Sequence, residues 1–115
     1  MINEIPKARD DEYREVAWGK KYPHDHVRPM WINNPKPQGK FIRFDLHYCG
    51  VCHSDLHVSD NDFGNAMYPL VPGHELAGVI TEVGPEVTKF KLGDRVGMGP
   101  ICDSCMDCET CFNGE

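Results

Sequence analysis

The clearest alternation of hydrophobic and polar residues lies in FIRFDLHY, residues 41–48. A period of two residues is typical of a strand with one buried face. The apolar run LAGVITEVG (76–84) predicts a buried strand, and LGDRVGMG (92–99) predicts another, entered through a Gly-Asp turn. The predicted buried face of the first strand consists of Ile42, Phe44, Leu46 and Tyr48.

Helical periodicity is weak throughout the chain. We expect a short helix around 10–18 and a helical turn in HSDLHVSD (53–60), where Ser54 or Asp55 can act as the N-cap. Prolines are frequent in residues 1–40, which predicts an otherwise irregular segment, and Gly and Pro make 63–75 a loop. The predicted fold class is therefore mainly β with short helices.

Length and charge restrict the function classes. The chain has 115 residues, which corresponds to one domain with a small core, and its net charge of −6 comes from interspersed acids and bases. An acidic chain is a poor partner for nucleic acid or an anionic membrane, and no apolar run approaches the roughly 18 residues of a membrane span. The charged N-terminus does not resemble a secretory signal, so we expect a cytoplasmic protein with reduced cysteines.

The first group of chemically capable residues combines CGVCHSDLH (49–57) with PGHE (72–75). A thiolate and an imidazole from separate segments, with a third ligand still to be identified, are typical of catalytic zinc, which keeps one position open for water or substrate. Cys52 and His74 supply these two groups. Asp55 or Glu75 could orient His74 through a hydrogen bond.

Other interpretations of the C-x-x-C-H sequence at 49–53 remain open. It matches the attachment signal for c-type haem, although haem attachment normally requires export. A C-x-x-C redox pair is a second alternative, but no βαβ pattern surrounds it. For Cys49 we favour a third interpretation, a small buried hydrophobic residue at the end of a strand.

The second group is the cysteine run CDSCMDCETC (102–111), in which two residues separate each cysteine from the next. Reduced cysteines at this spacing are most simply explained as metal ligands, and four thiolates are typical of structural zinc. An iron–sulfur cluster is an alternative, but the last gap is one residue short and Phe112 stands where the ferredoxin motif has proline. Unligated cysteines are the remaining possibility.

Four motifs, in this order, resemble the zinc-dependent medium-chain alcohol dehydrogenases, and within them the cinnamyl alcohol dehydrogenase type. The motifs are YCGVCHSDLH, YPLVPGHELAGVITEVG, VTKFKLGDRVG and CMDCETCFNGE. The resemblance implies that residues 41–115 form most of a GroES-like catalytic domain, a partly open β-barrel that is incomplete here. Residues 1–40 would then be an irregular segment and the first part of the domain.

The resemblance assigns roles around the catalytic zinc. Cys52 and His74 match two zinc ligands, and Glu75 matches the acidic residue that lies behind the metal and can approach it. Asp55 matches the carboxylate that hydrogen-bonds the ligand histidine. The third zinc ligand of the family, a further cysteine, would lie beyond the given sequence.

The resemblance also assigns a proton path. Ser54 matches the hydroxyl that takes the proton of the substrate alcohol, and His57 matches the outer histidine of the relay. A hydroxyl can accept one hydrogen bond while it donates another, and a histidine can exchange a proton with solvent near neutral pH. His53 stands where some relatives contact the phosphate of the cofactor.

A second, structural zinc is implied for the cysteine run. Cys105, Cys108 and Cys111 match the first three ligands of the family spacing C-x2-C-x2-C-x7-C, whose fourth cysteine would fall shortly after Glu115. Cys102 is an alternative fourth ligand. The tetrapeptide GMGP (97–100) does not match G-x-G-x-x-G, so we expect the nucleotide-binding domain to be absent and the chain to be a fragment.

The function implied by the resemblance is interconversion of primary alcohols and aldehydes by hydride transfer, with Zn²⁺ at both sites and NADP(H) favoured over NAD(H). The partners would be a small-molecule alcohol or aldehyde and, at full length, a second subunit of a homodimer. The alternative is a non-enzymatic zinc-binding or GroES-like interaction module. We expect the 115 residues alone to lack catalytic activity.

Overall fold

The computed structural model describes residues 7–101 and 103–114. Their secondary structure comprises two antiparallel sheets and two short helices. In chain order the elements are β1 (Glu12–Gly19), β2 (Arg28–Pro35), β3 (Ile42–Gly50), α1 (His53–Ser59), β4 (Glu75–Val83), β5 (Arg95–Met98) and α2 (Glu109–Asn113). The predicted class, mainly β with short helices, is confirmed.

The N-terminal segment forms a hairpin, in which β1 and β2 pair from Glu12–Pro35 to Gly19–Arg28. The prediction of an irregular segment with a short helix at 10–18 was therefore wrong. β-Branched and aromatic residues in both segments favour strands once they can pair with each other. Two of the prolines that suggested irregular structure, Pro29 and Pro35, lie at the ends of β2, where a strand tolerates them.

The second sheet has the order β3-β4-β5, so the three strands predicted from the sequence are confirmed. The predicted buried face of β3 is only partly correct. Ile42 and Phe44 are half-buried, whereas Leu46 and Tyr48 are 53% and 77% exposed. β3 is an edge strand of its sheet, and the described residues do not cover its second half.

The hydrophobic core is small. Within residues 7–101 and 103–114, only Met30 of the hairpin and Ile80 of β4 are buried hydrophobic residues. The two sheets do not close into a barrel in this part of the chain. Nor does it contain a helix long and apolar enough to cross a membrane.

Polar contacts attach the hairpin to the second sheet. The hydroxyl of Tyr13 in β1 donates a hydrogen bond of 2.6 Å to Glu82 in β4. Arg43 of β3 forms an ion pair with Glu15 of β1, and its guanidinium lies 4.0 Å from the centre of the Tyr13 ring. The hairpin is therefore part of the same packed unit as the strands that flank the candidate site.

Candidate active site

Helix α1 begins with a capping box in which Cys52 is the N-cap. Its Sγ accepts a hydrogen bond from the backbone N–H of Ser54 at 3.3 Å, and Asp55 Oδ2 accepts one from the N–H of Cys52 at 3.0 Å. The prediction that Ser54 or Asp55 is the cap was wrong, because the helix begins at His53 and places both residues in its first turn. The cap therefore fixes the candidate ligand Cys52 against the helix.

His74 joins this helix end from the other side of a long loop. Its Nδ1 donates a hydrogen bond of 2.9 Å to Asp55 Oδ1, because a carboxylate can only accept. Asp55 is buried, with 9% exposure, and its two oxygens thus hold the backbone of Cys52 and the ring of His74. The bond at Nδ1 orients Nε2 as the nitrogen available to a metal.

Ser54 lies between the two candidate ligands. Its Oγ is 2.9 Å from Cys52 Sγ and 3.3 Å from His74 Nε2. The ligand atoms of Cys52, Asp55 and His74 all lie within 4.8 Å of one another. One hydroxyl is therefore in hydrogen-bond range of both the thiol and the imidazole, which are the donor types that suit zinc.

The thiol and the imidazole shift each other's proton affinity. Hydrogen bonds from the side chain and backbone of Ser54, together with His74, lower the pKa of Cys52 below its ordinary value of 9.0, against the effect of burial. Contact with Cys52 is the largest cause that raises the pKa of His74 above 6.5; burial opposes it and Asp55 adds to it. A metal at Nε2 requires that nitrogen to be unprotonated, so protons and a metal compete for it.

His57 lies in the same helix but in a separate contact group. Its Nδ1 is 2.7 Å from Asp62 Oδ2, and its ring centre is 4.8 Å from that of His53 and 5.5 Å from that of Phe63. No hydrogen bond among the described residues joins Ser54 to His57. A proton path between them needs a bridging hydroxyl or water.

Asp62 is a candidate residue that the sequence reasoning missed. It comes close to His57 because Asn61, with φ of 64°, turns the chain back after α1, and the Asp62 N–H bonds the carbonyl of His57 at 2.9 Å. Asn is one of the few non-glycine residues that adopt this left-handed conformation readily. In the sequence, the Asn just after the predicted helical turn was the available signal that the chain reverses there and brings Asp62 near the helix.

The structure places Glu75 and Cys49 outside the cluster of Cys52, Asp55 and His74. Glu75 opens β4 opposite Gly50, and its carboxylate lies against Gly50, where a Cβ would be 2.1 Å from Oε2. Cys49 is exposed rather than buried, contrary to the prediction, because it belongs to the uncovered half of the edge strand β3. Its Sγ lies beside Gly73, where an added Cβ would be 2.8 Å away.

The cysteine run forms a second cluster at the start of α2. Cys111 Sγ lies 3.4 Å from that of Cys108 and 3.7 Å from that of Cys105. A tetrahedral metal with bonds to sulfur of about 2.3 Å separates its sulfurs by about 3.8 Å, so the three thiols fit such an ion. Cys102, the alternative fourth ligand, lies outside the described residues.

Helix α2 contributes to the arrangement of this second cluster. Cys108 is its N-cap, and Gly114, with φ of 72°, ends the helix in the left-handed conformation. The pKa of Cys105 is lowered to about 7. The largest cause is the hydrogen bond from the N–H of Asp107, followed by those from the thiols of Cys108 and Cys111. The exposed thiol of Cys105 therefore ionises more readily than an ordinary cysteine.

Comparison with known sequences gives the family. Residues 41–115 match the family described as Alcohol dehydrogenase GroES-like domain. The chain belongs to this family. The GroES-like fold and the alcohol dehydrogenase resemblance inferred from the four motifs are thereby confirmed, and Cys52, Ser54 and His74 all lie within the matched residues.

Individual relatives agree with this assignment. The probable mannitol dehydrogenase 1 of Stylosanthes humilis is 50% identical over 98 residues, which is 85% of this chain and 28% of the relative. The probable cinnamyl alcohol dehydrogenase 3 of Oryza sativa subsp. japonica is 44% identical over 107 residues, or 93% of this chain and 29% of the relative. The chain thus spans less than a third of the length of these curated relatives.

Solved structures show the same architecture. The cinnamyl alcohol dehydrogenase of Helicobacter pylori, complexed with NADP(H), has a TM-score of 0.84 and 34% identity, over 89% of this chain and 29% of that chain. The cinnamyl alcohol dehydrogenase of Sorghum bicolor has a TM-score of 0.81 and 46% identity with the same coverage. At these identities the likeness supports common ancestry as well as a common fold of the GroES-like domain.

Proposed function

We propose that this chain is the metal- and substrate-binding part of a zinc-dependent, NAD(P)-linked alcohol dehydrogenase that interconverts primary alcohols and aldehydes by hydride transfer. The observation that carries the proposal is the position of Ser54 Oγ, 2.9 Å from Cys52 Sγ and 3.3 Å from His74 Nε2. A site that only binds metal has no need of a hydroxyl between its ligands. A hydroxyl in this position can accept the proton of an alcohol and pass on its own.

Cys52 and His74 would hold the catalytic zinc, with Glu75 as the acidic residue able to approach it. Cys105, Cys108 and Cys111 would hold the structural zinc. The catalytic zinc, when bound, supplies Lewis acidity that favours loss of the alcohol proton and polarises the aldehyde carbonyl. The second cluster lies at an exposed helix start and has no hydroxyl in a comparable position among its described contacts, which favours a structural role.

The chain's own residues supply the two ends of a proton path, which a hydroxyl or water between Ser54 and His57 would join. Ser54 accepts the proton of the alcohol through one lone pair while it donates its own hydrogen, since a hydroxyl can do both. His57, held by Asp62 at 2.7 Å, is the group that exchanges this proton with solvent. Asp55 keeps the Nδ1–H of His74 engaged, so that Nε2 faces the reaction side.

The descriptions of the relatives support a cofactor and a substrate class. The Helicobacter pylori structure is a complex with NADP(H). A relative from Mycolicibacterium smegmatis, 56% identical over 73 residues, or 64% of this chain and 21% of the relative, is named NADP-dependent alcohol dehydrogenase C 1. These descriptions favour NADP(H) over NAD(H), with His53 as a contact to the cofactor phosphate. The cinnamyl and mannitol dehydrogenases among the relatives favour a primary alcohol and its aldehyde as substrates, and the free thiols favour the cytosol.

A chimeric enzyme tests this function. Residues 1–115 would replace the segment to which they align in the Sorghum bicolor cinnamyl alcohol dehydrogenase, and oxidation of primary alcohols with NADP⁺ would be measured. We expect activity, its loss in Cys52→Ala, and a decrease of about 100-fold or more in Ser54→Ala. Cys49→Ala is the matched control, since its thiol is outside the metal cluster, and it should retain activity and zinc.

Two outcomes would contradict the proposal, and a third would contradict the expectation that these residues are inactive alone. A folded, zinc-loaded chimera without activity would favour the non-enzymatic zinc-binding or GroES-like module. Equal loss of zinc in Cys49→Ala and Cys52→Ala would show that the ligand is misassigned. NADP⁺-dependent turnover by the 115 residues alone would overturn the expectation, based on the absence of a G-x-G-x-x-G motif, that these residues need a separate nucleotide-binding domain.

A further inference from the structure

The two halves of the candidate active site are connected by an irregular segment. Helix α1 carries Ser54 and Asp55, whereas His74 follows residues 60–73, which form no helix or strand apart from an isolated bridge at Leu70. A segment of this length has many conformations when nothing holds it. Tyr68 donates a hydrogen bond to the carbonyl of Ser59, and the N–H of Ala66 donates one to Asn61 Oδ1, so part of the segment is held locally. Contacts from the hairpin add to these bonds and fix the segment from outside.

Lys20, the residue after β1, contacts this segment at two places. Its backbone N–H donates to the carbonyl of Leu70 at 2.8 Å, and its carbonyl accepts from the N–H of Leu70 at 2.9 Å. Its Nζ donates to Asp60 Oδ1 at 2.5 Å. Asp60 is the C-cap of α1, with its own N–H bonded to Leu56. One residue of the hairpin thus joins the end of α1 to the loop that leads to His74.

The surroundings of Lys20 restrict it to this position. Its residue exposure is 8%, and a buried ammonium group requires a charged partner. The hydrogen bond from Lys20 is the largest cause that lowers the pKa of Asp60, so the partner stays ionised; His24 Nδ1 lies 3.8 Å from the same oxygen. The contact is an ion pair between a buried ammonium group and a half-buried carboxylate.

Gly19 allows the backbone of the hairpin to come this close. A Cβ at Gly19 would lie 2.5 Å from the carbonyl oxygen of Leu70 and 2.5 Å from Sδ of the buried Met30. Any side chain there would push Leu70 away from Lys20. The glycine, the backbone bridge and the ion pair therefore form one continuous attachment between the hairpin and residues 60–73.

We propose that Lys20 is a positioning residue for the active site: the ion pair of its side chain with Asp60, added to its backbone bridge with Leu70, sets the position of His74 relative to α1. The proposal goes beyond the assigned ligands and relay groups, and its effect on metal binding rests on the proposed role of Cys52 and His74. Lys20 touches neither ligand. It acts through the helix end and the loop.

The test uses the metal-free 115-residue chain, labelled with ¹⁵N-histidine, and its Lys20→Met variant. Methionine keeps most of the apolar stem and removes the charge. We expect the ring nitrogen signals of His74 to change in the variant, because its Nδ1–H is no longer held at Asp55, and the affinity for Zn²⁺ that depends on Cys52 to fall about tenfold. Lys20→Arg, which keeps the charge, should restore both. Lys40→Met removes an exposed lysine and is the matched control.

If Lys20→Met does not fold, the same measurements are made on Asp60→Asn. Asparagine has nearly the same shape as aspartate, and position 60 is more exposed than position 20. Wild-type His74 signals and zinc affinity in a folded Lys20→Met or Asp60→Asn chain would overturn the proposal. So would equal changes in Lys40→Met. If Cys52→Ala leaves zinc affinity unchanged, the metal assignment fails, whereas the His74 signals still test the role of Lys20 independently.

Discussion

Asp55 and His74 are joined by a hydrogen bond of 2.9 Å between Oδ1 and Nδ1–H. The other oxygen of Asp55 holds the backbone of Cys52, so one buried carboxylate connects both candidate ligands. The two ligand segments are separated by 22 positions in the numbering of the chain, from 52 to 74. The arrangement of the metal site thus depends on a residue that does not need to touch the metal.

Replacement of Asp55 by asparagine should weaken zinc binding at Cys52 and His74. An amide oxygen accepts a weaker hydrogen bond than a carboxylate and does not favour the oriented ring to the same extent, so we expect a 10–100-fold decrease in affinity. Competition with a chromophoric chelator measures the change. Asp62→Asn alters only the exposed partner of His57 and should retain wild-type affinity, and equal losses in both variants would contradict the assignment.

Removal of the Ser54 hydroxyl should raise the pKa of Cys52. Its side-chain hydrogen bond is the largest cause of the lowered value, while the backbone N–H remains in the variant. Ser54→Ala should therefore contain less Cys52 thiolate at a given pH and shift the alkylation profile of this thiol towards higher pH. Mass spectrometry of the metal-free chain resolves each cysteine. Ser104→Ala removes an exposed hydroxyl far along the chain and should leave the Cys52 profile unchanged.

Cys105 should react with iodoacetamide near neutral pH in the metal-free chain. Its pKa of about 7 means that the thiolate fraction, and with it the reaction rate, rises as the pH increases through about 7 and then levels off. Cys105→Ser should remove this reactive phase. Added Zn²⁺ should suppress it in the wild-type chain. A midpoint near the ordinary value of 9.0 would show that the contacts at Asp107, Cys108 and Cys111 do not form.

Met30 should contribute far more to stability than another methionine of the same chain. It is 2% exposed, so Met30→Ala removes buried apolar volume and should lower the free energy of unfolding by about 2–5 kcal/mol. Met67 is 84% exposed, and Met67→Ala should change that free energy by less than about 0.5 kcal/mol. Urea unfolding of both variants makes the comparison. Equal effects would show that the hairpin does not pack as described.

Local sequence patterns were sufficient for the second sheet. The alternation in 41–48 and the apolar run in 76–84 predicted β3 and β4, since side-chain period and β-branched residues act within a few positions. They were insufficient for the hairpin at 12–35, where prolines and charged residues obscured two strands that stabilise each other only by pairing. They also misjudged Leu46 and Tyr48, because exposure depends on what covers a strand.

The sequence by itself determined the chemistry of this protein: the thiols, imidazoles and carboxylates, their spacing, and the motifs that match the alcohol dehydrogenase family are all local properties of the chain. Only the tertiary structure decided which groups meet. It made Cys52 the helix cap, set Ser54 between Cys52 and His74, brought Asp62 to His57 and attached Lys20 to both Asp60 and Leu70. The physical reason is that the contacts of Ser54 with His74 and of Lys20 with Asp60 and Leu70 join segments far apart in sequence, so they form only when hairpin, helix and loop pack together. The cap at Cys52 and the contact of Asp62 with His57 are local, but they depend on where the helix begins and how the chain turns after it.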